Sequence, residues 1–205
     1  MRVLVGIIAV LCVFVVACGS SDGTVFADLA WSVRCADGSP DCSIGTTCLG
    51  TAGRRSILRL DGDDACPDDE DNLDPLRALC ELRPGDGRVS MRLVGSVSND
   101  GEEQYGIEVT GLVVDPETDE IVEPGRCKVA VFEDGARYDV GSCGEQDPSS
   151  GQPCQISGLN IEQDDPDISL RLKCENLRAS TGIGIDVTGI SSSQATVRFN
   201  NCTGW

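Results

Sequence analysis

In stretch after stretch of this chain, every second residue is apolar. Leu29, Trp31, Val33 and Cys35 share one parity; Val89, Met91, Leu93, Gly95 and Val97 repeat the pattern. So do Ile168, Leu170, Leu172 and Cys174, with Ser169, Arg171 and Lys173 between them. A period of two puts such side chains on one face of an extended strand and leaves the other face to water. Further strand candidates are Ser56 to Leu60, Gly106 to Val114, Cys127 to Phe132, Ala136 to Val140, Gly184 to Val187 and Ala195 to Asn200. Asp100-Gly101 and Asp134-Gly135 lie between such runs, and Pro84-Gly85-Asp86-Gly87 leads into the run at Val89. Sequences of this kind tolerate the positive φ angles of tight hairpin turns.

One segment has two readings. Asp74-Pro75 is a good helix start, with Leu76, Leu79 and Cys80 on one helical face. Leu76, Ala78, Cys80 and Leu82 also alternate, and strand is favoured because the next turn feeds a clear strand. With no convincing amphipathic helix after the leader, about nine to ten strands predict an all-β fold, an antiparallel β-sandwich of jelly-roll-like or related form.

The N-terminus sets the compartment. Arg2 is followed by an unbroken apolar run, Val3 to Val16, then Ala17 and Cys18, the layout of a secretory signal. As a helix the run reaches roughly 22 Å, short of a hydrocarbon core of about 30 Å. Val15-Val16-Ala17-Cys18 resembles the lipobox of bacterial lipoproteins, although Val at both positions before Ala17 is a looser match than Leu-Ala or Leu-Ser. The resemblance covers about twenty residues and implies that Cys18 is acylated and becomes the mature N-terminus. Two or three acyl chains, at about 0.8 kcal/mol per buried methylene, hold a domain on a bilayer durably. In that family a residue other than Asp after the cysteine, here Gly19, is associated with the outer membrane of two-membrane bacteria. The expected organisation is a signal peptide over 1–17, a lipidated cysteine and tether over 18–24, and one β-sandwich domain over 25–205. The other reading is an ordinary secretory signal cut nearby.

Behind Cys18 stand ten cysteines: Cys35, Cys42, Cys48, Cys66, Cys80, Cys127, Cys143, Cys154, Cys174 and Cys202. An exported chain meets an oxidising compartment, so an even count predicts five disulfides. Zinc or iron–sulfur ligation is disfavoured, since the chain has no His and no C-x-x-C pair. Ten cysteines allow about 945 pairings, so connectivity is open. The one local expectation is Cys143 with Cys154, which would close the polar stretch Gly144 to Pro153.

Charge excludes one partner class. The chain has 16 basic and 34 acidic side chains, and loss of Arg2 with the leader leaves fifteen basic ones and a formal charge of −19. Such a surface repels phosphate backbones, so no nucleic acid is expected. It also repels anionic head groups, which leaves membrane attachment to the lipid at Cys18.

No cofactor is required by any motif, and the one candidate is Ca²⁺. The loop Asp61, Asp63, Asp64, Asp68, Asp69, Glu70 and Asp71, interrupted by Cys66-Pro67, offers closely spaced carboxylates, and a hard cation takes six to eight oxygens. It resembles calcium-binding repeats of the thrombospondin type 3 kind, but as a single copy without the regular Asp-x-Asp-x-Asp-Gly frame. Acidic turns at Asn99 to Glu103, Asp115 to Glu120 and Glu162 to Asp167 favour the plainer reading of a charged, solvated surface. The sequon Asn201-Cys202-Thr203 has no expected role in a bacterial lipoprotein.

Without His, the Ser-His-Asp and Cys-His systems are excluded. G-x-S-x-G, the P-loop pattern and G-x-G-x-x-G are absent, so no catalytic residue is assigned. Trp31, in phase with Leu29 and Val33, reads as core, and Trp205 as a chain end or sandwich cap; Tyr105 and Tyr138 complete a sparse set for sugar stacking. Cys174-Glu-Asn176-Leu177 with Phe199-Asn-Asn201-Cys202 resembles cysteine-rich exported β-sandwich lipoproteins of unassigned activity.

The expected function is that of a lipid-anchored cell-envelope structural or binding module without catalysis, with a protein or glycan partner. Two alternatives stand beside it: an envelope carbohydrate-active hydrolase using paired carboxylates, and a calcium-stabilised surface adhesion domain. The sequence does not fix the oligomeric state.

Overall fold

Three Asp-Gly steps become hairpin corners with both residues at positive φ: Asp86 and Gly87 at 53° and 72°, Asp100 and Gly101 at 51° and 83°, Asp134 and Gly135 at 49° and 73°. Two consecutive positive φ values give a turn whose twist matches that of the flanking strands. The computed structural model describes residues 24–39, 42, 54–59, 76–140, 142–145, 153–162, 166–190 and 192–204. These hold β1 (Phe26–Cys35), β2 (Arg54–Arg59), β3 (Arg77–Gly85), β4 (Arg88–Asn99), β5 (Glu102–Asp115), β6 (Glu120–Ile121) and β7 (Lys128–Glu133). They continue with β8 (Ala136–Val140), β9 (Cys143–Glu145), β10 (Cys154–Glu162), β11 (Asp167–Ala179), β12 (Gly184–Thr188) and β13 (Ala195–Asn200). The three hairpins are β3–β4, β4–β5 and β7–β8.

The expected all-β antiparallel sandwich forms. Its strands make one continuous 13-stranded sheet with the path β12-β1-β13-β11-β8-β7-β5-β4-β3. β12 and β13 lie end to end in one slot. Both pair antiparallel with β1 on one side and with β11 on the other. β2, β1, β12 with β13, β11 and β10 make the first layer; β8, β7, β5, β4 and β3 make the second. β11 links them, pairing with β10 along most of its length and with β8 at Arg178 and Ala179.

The alternation predicted for β1 holds: Ala27, Leu29, Trp31 and Val33 are buried, while Phe26 and Arg34 are exposed. The two inner faces meet closely enough that a methyl group at Gly95 of β4 would run into the Leu29 side chain of β1. Fully burying one large apolar side chain contributes about 1.5–3 kcal/mol, and Leu29, Trp31, Leu93, Ile107, Leu170 and Phe199 all sit in this seam. In β4 the run Leu93 to Val97 is buried on both faces, so strict alternation ends there.

Two expectations need correction. Among the described residues the strands number thirteen, because β6, β9 and β10 were not expected. In β10 the register slips between Ser157 and Asn160, around Gly158 at φ 55°, and that bulge breaks the period of two. The expected Cys143–Cys154 bridge is absent: Cys143 joins Cys127, and Cys154 joins Cys174. Gly144 and Glu145 belong to β9, which pairs in parallel with the first residues of β10, just beyond Pro153. Cys154 and Cys174 face each other across an antiparallel ladder at 4.0 Å between Cα atoms, the close approach of directly opposed residues. Cys35–Cys42 and Cys80–Cys202 complete four bridges among the described residues, the latter tying β3 to the residues after β13. The ambiguous segment is strand β3 from Arg77.

Candidate recognition surfaces

Of the residues singled out in the sequence, Cys18, Cys48, Cys66, Trp205 and the acidic loop Asp61 to Asp71 lie outside the described residues. Trp31 is fully buried, as expected, and Tyr105 and Tyr138 are also buried. Tyr105 is held by its hydroxyl, which donates to Asp134 Oδ1 at 2.7 Å. Among the described residues no group of three or more Cys, Asp or Glu is arranged to hold a metal ion. No described helix is long and apolar enough to cross a membrane.

The outer face of the second layer carries a polar network. Its register puts Arg92 of β4 opposite Thr110 of β5, Glu108 of β5 opposite Ala130 of β7, and Ala130 opposite Asp139 of β8. Across these rows Glu108 accepts from Arg137 Nη1 at 3.0 Å and pairs with Arg92 at 3.6 Å. Arg137 Nε also donates to Asp139 at 3.3 Å, and its guanidinium carbon lies 5.2 Å from the centre of the Phe132 ring. Burial opposes the charge on Arg137, but the hydrogen bonds and charges of Glu108 and Asp139 outweigh it and raise its pKa above the ordinary guanidinium value. The ladder roofs small or apolar residues, Val94, Ser96, Ala130 and Phe132, which are buried although they face outward.

Ala130 leaves a hollow of about 200 Å³ beside this ladder, walled by Glu108, Thr110, Lys128, Arg137 and Asp139. Hydroxyl, ammonium, guanidinium and carboxylate groups converge on it, a set suited to a polar ligand or to a partner's polar side chains. Glu108 and Asp139 are the one carboxylate pair here, and both accept from the same guanidinium.

A larger hollow, about 450 Å³, opens where the β5–β6 turn faces the bulge of β10. Ile121, Ile156 and Leu159 give it apolar walls; Thr118, Asp119, Glu120 and Ser157 give it a polar rim. Neither hollow was visible in the sequence. The only signals were Lys128 and Arg137 standing among acids, and Gly158 inside an apolar run.

Fold and surface together define a disulfide-braced, all-β sandwich with polar hollows on its surface. No family model, curated protein or solved structure matches the chain.

Proposed function

We propose that this protein is an exported, lipid-anchored module of the cell envelope that works by binding or by bracing rather than by catalysis, with a protein or glycan partner. The observation that carries this reading is the pairing of eight cysteines into four bridges, taken with the apolar run Val3 to Val16 and Ala17 before Cys18, which read as a leader over 1–17. Such bridges persist in oxidising compartments and are rare in the cytosol, and a leader ending in a lipobox-like cysteine supplies both export and anchor. The recognition role is supported by the mixed polar hollow beside Arg137, which stands on rigid strands instead of a loop.

Two measurements test it. Fractionation of cells carrying Cys18→Ala should move the protein from the membrane to the soluble exported fraction. Retention on the membrane without that sulfur refutes the anchor. Cross-linking of intact cells should recover a reproducible envelope partner for the native protein and lose it for Lys128→Glu with Arg137→Glu. Equal recovery with both proteins refutes this face as the binding surface.

A further inference from the structure

The chain leaves its tether at a fixed point of the fold. Thr24 is fastened by its carbonyl oxygen, which accepts from Asn201 Nδ2 at 3.1 Å. Only five residues separate Cys18 from Thr24, a length of chain that reaches at most about 20 Å. Whatever Cys18 is attached to therefore lies close to the first residues of β1.

Phe26 stands at that corner, and at 43% exposure it is the one large hydrophobic residue exposed among the described residues. It faces outward from the first layer, opposite Asn200 of β13. Along the same outer face follow Arg198, opposite Asp28, and then Arg171, opposite Thr196. Both guanidiniums are exposed, and neither has an ion-pair partner among the described residues. The acids nearby are engaged: Asp167 accepts from the Asn200 side chain and the Asn201 N–H, Asp186 from Arg34, and Asp28 also has a partner. In a chain of formal charge −18, these two arginines add positive charge beside Phe26 that no acid among the described residues takes up.

We propose that this face lies against the bilayer that anchors the chain, with Phe26 inserted at the interface and Arg198 and Arg171 resting on lipid phosphates. The inference rests on the lipid-anchored reading above. A ring near the acyl boundary with cations at phosphate depth is the arrangement of interfacial docking. It turns the acidic remainder of the surface away from the membrane. It also leaves the outer face of the second layer, with its Arg137 ladder, open to a partner.

The test uses the lipidated full-length protein in phosphatidylcholine–phosphatidylglycerol vesicles, with Phe26→Trp in a Trp205→Phe background and Trp31 buried as an internal reference. Lipids brominated near the top of their acyl chains should quench the new indole about twofold and shift its emission to the blue. Arg171→Glu with Arg198→Glu should remove most of that quenching while the protein still floats with the vesicles. A floating protein whose indole remains in water, open to iodide and indifferent to bromine, overturns the orientation and leaves the anchor standing. A protein with Cys18 intact that does not float overturns both.

Discussion

Trp31 Nε1 donates to Glu133 Oε1 at 2.6 Å inside the core, joining residues 102 positions apart in sequence. Trp31 sits in the middle of β1 and Glu133 ends β7, so the bond runs between the two layers. A buried polar group is costly without its partner. Glu133→Ala leaves the indole N–H with no acceptor and should cost about 1–3 kcal/mol in urea unfolding, whereas Glu133→Gln keeps an amide oxygen for it and should cost less. Equal midpoints for the two variants would remove this bond from the account of the core.

The sulfurs of β7, β9, β10 and β11 offer a second check. Cys143 and Cys154 stand side by side on neighbouring parallel strands, about 4.8 Å apart in the pairing direction, yet each is bonded elsewhere. The bridge expected from sequence is thus a near neighbour of the real ones. Removing both outer partners, with Cys127→Ala and Cys174→Ala, should let the two inner sulfurs oxidise to each other. Disulfide mapping of the oxidised variant should recover a peptide pair linked through Cys143 and Cys154, with no free thiol at either.

The same region shows what the sequence could and could not carry. β1, β4, β11 and β13 were legible because each keeps one parity buried over several residues, and the Asp-Gly corners because their chemistry is local. β3 was legible from its context, since the turn after it had to return into β4. β9 and β6 are too short to show a period, having three and two residues. β10 hides behind its bulge. Disulfide pairing and the ladder at Glu108 are products of cross-strand register: Arg137 reaches Glu108 across 29 positions of sequence, a distance that no local pattern encodes.

Two glycines separate backbone conformation from packing. Gly101 and Gly111 both have positive φ, 83° and 65°, but a Cβ at Gly101 meets open space. At Gly111, where the β4–β5 register slips, a Cβ would press on the carbonyl oxygen of Arg126. Gly101→Ala should therefore cost only the conformational term, about 1–2 kcal/mol. Gly111→Ala adds displacement of a backbone segment next to the Cys127 bridge and should lower the melting temperature further. If thermal unfolding finds the two alike, the close approach at Arg126 is not a constraint.

Glu123 gives a pH signature. Its carboxylate accepts from Arg126 at 2.9 Å and from Arg88 at 2.6 Å. The hydrogen bond from Arg126 lowers its pKa most; desolvation works the other way, and Arg126's charge and Arg88 add to the lowering. A carboxyl whose folded pKa lies below its unfolded value stabilises the fold above the unfolded value, and loses that contribution as pH falls through the folded one. Glu123→Gln should accordingly melt slightly below the parent at pH 7 and together with it in strong acid. A gap that stays constant across that titration would show that the two arginines do not act through the charge.

Among the bridges, the span of chain each closes predicts its worth. Cys80–Cys202 encloses a separation of 122 residues and Cys35–Cys42 one of 7. Loop-closure entropy gives about 5 kcal/mol for the first and about 2.5 for the second. The long bridge also fixes the edge of the second layer to the strand end of the first. Beside it the Leu82 N–H donates to the Thr203 carbonyl at 2.7 Å and the Thr203 N–H to the Cys80 carbonyl at 2.9 Å. Replacing both cysteines of the long bridge by alanine should therefore lower the denaturation midpoint more than the same change at the short one, and should speed hydrogen exchange at Leu82 and Thr203. If the short bridge proved the more costly to lose, the stability of this sandwich would depend on local structure after β1 and not on the closure of its two layers.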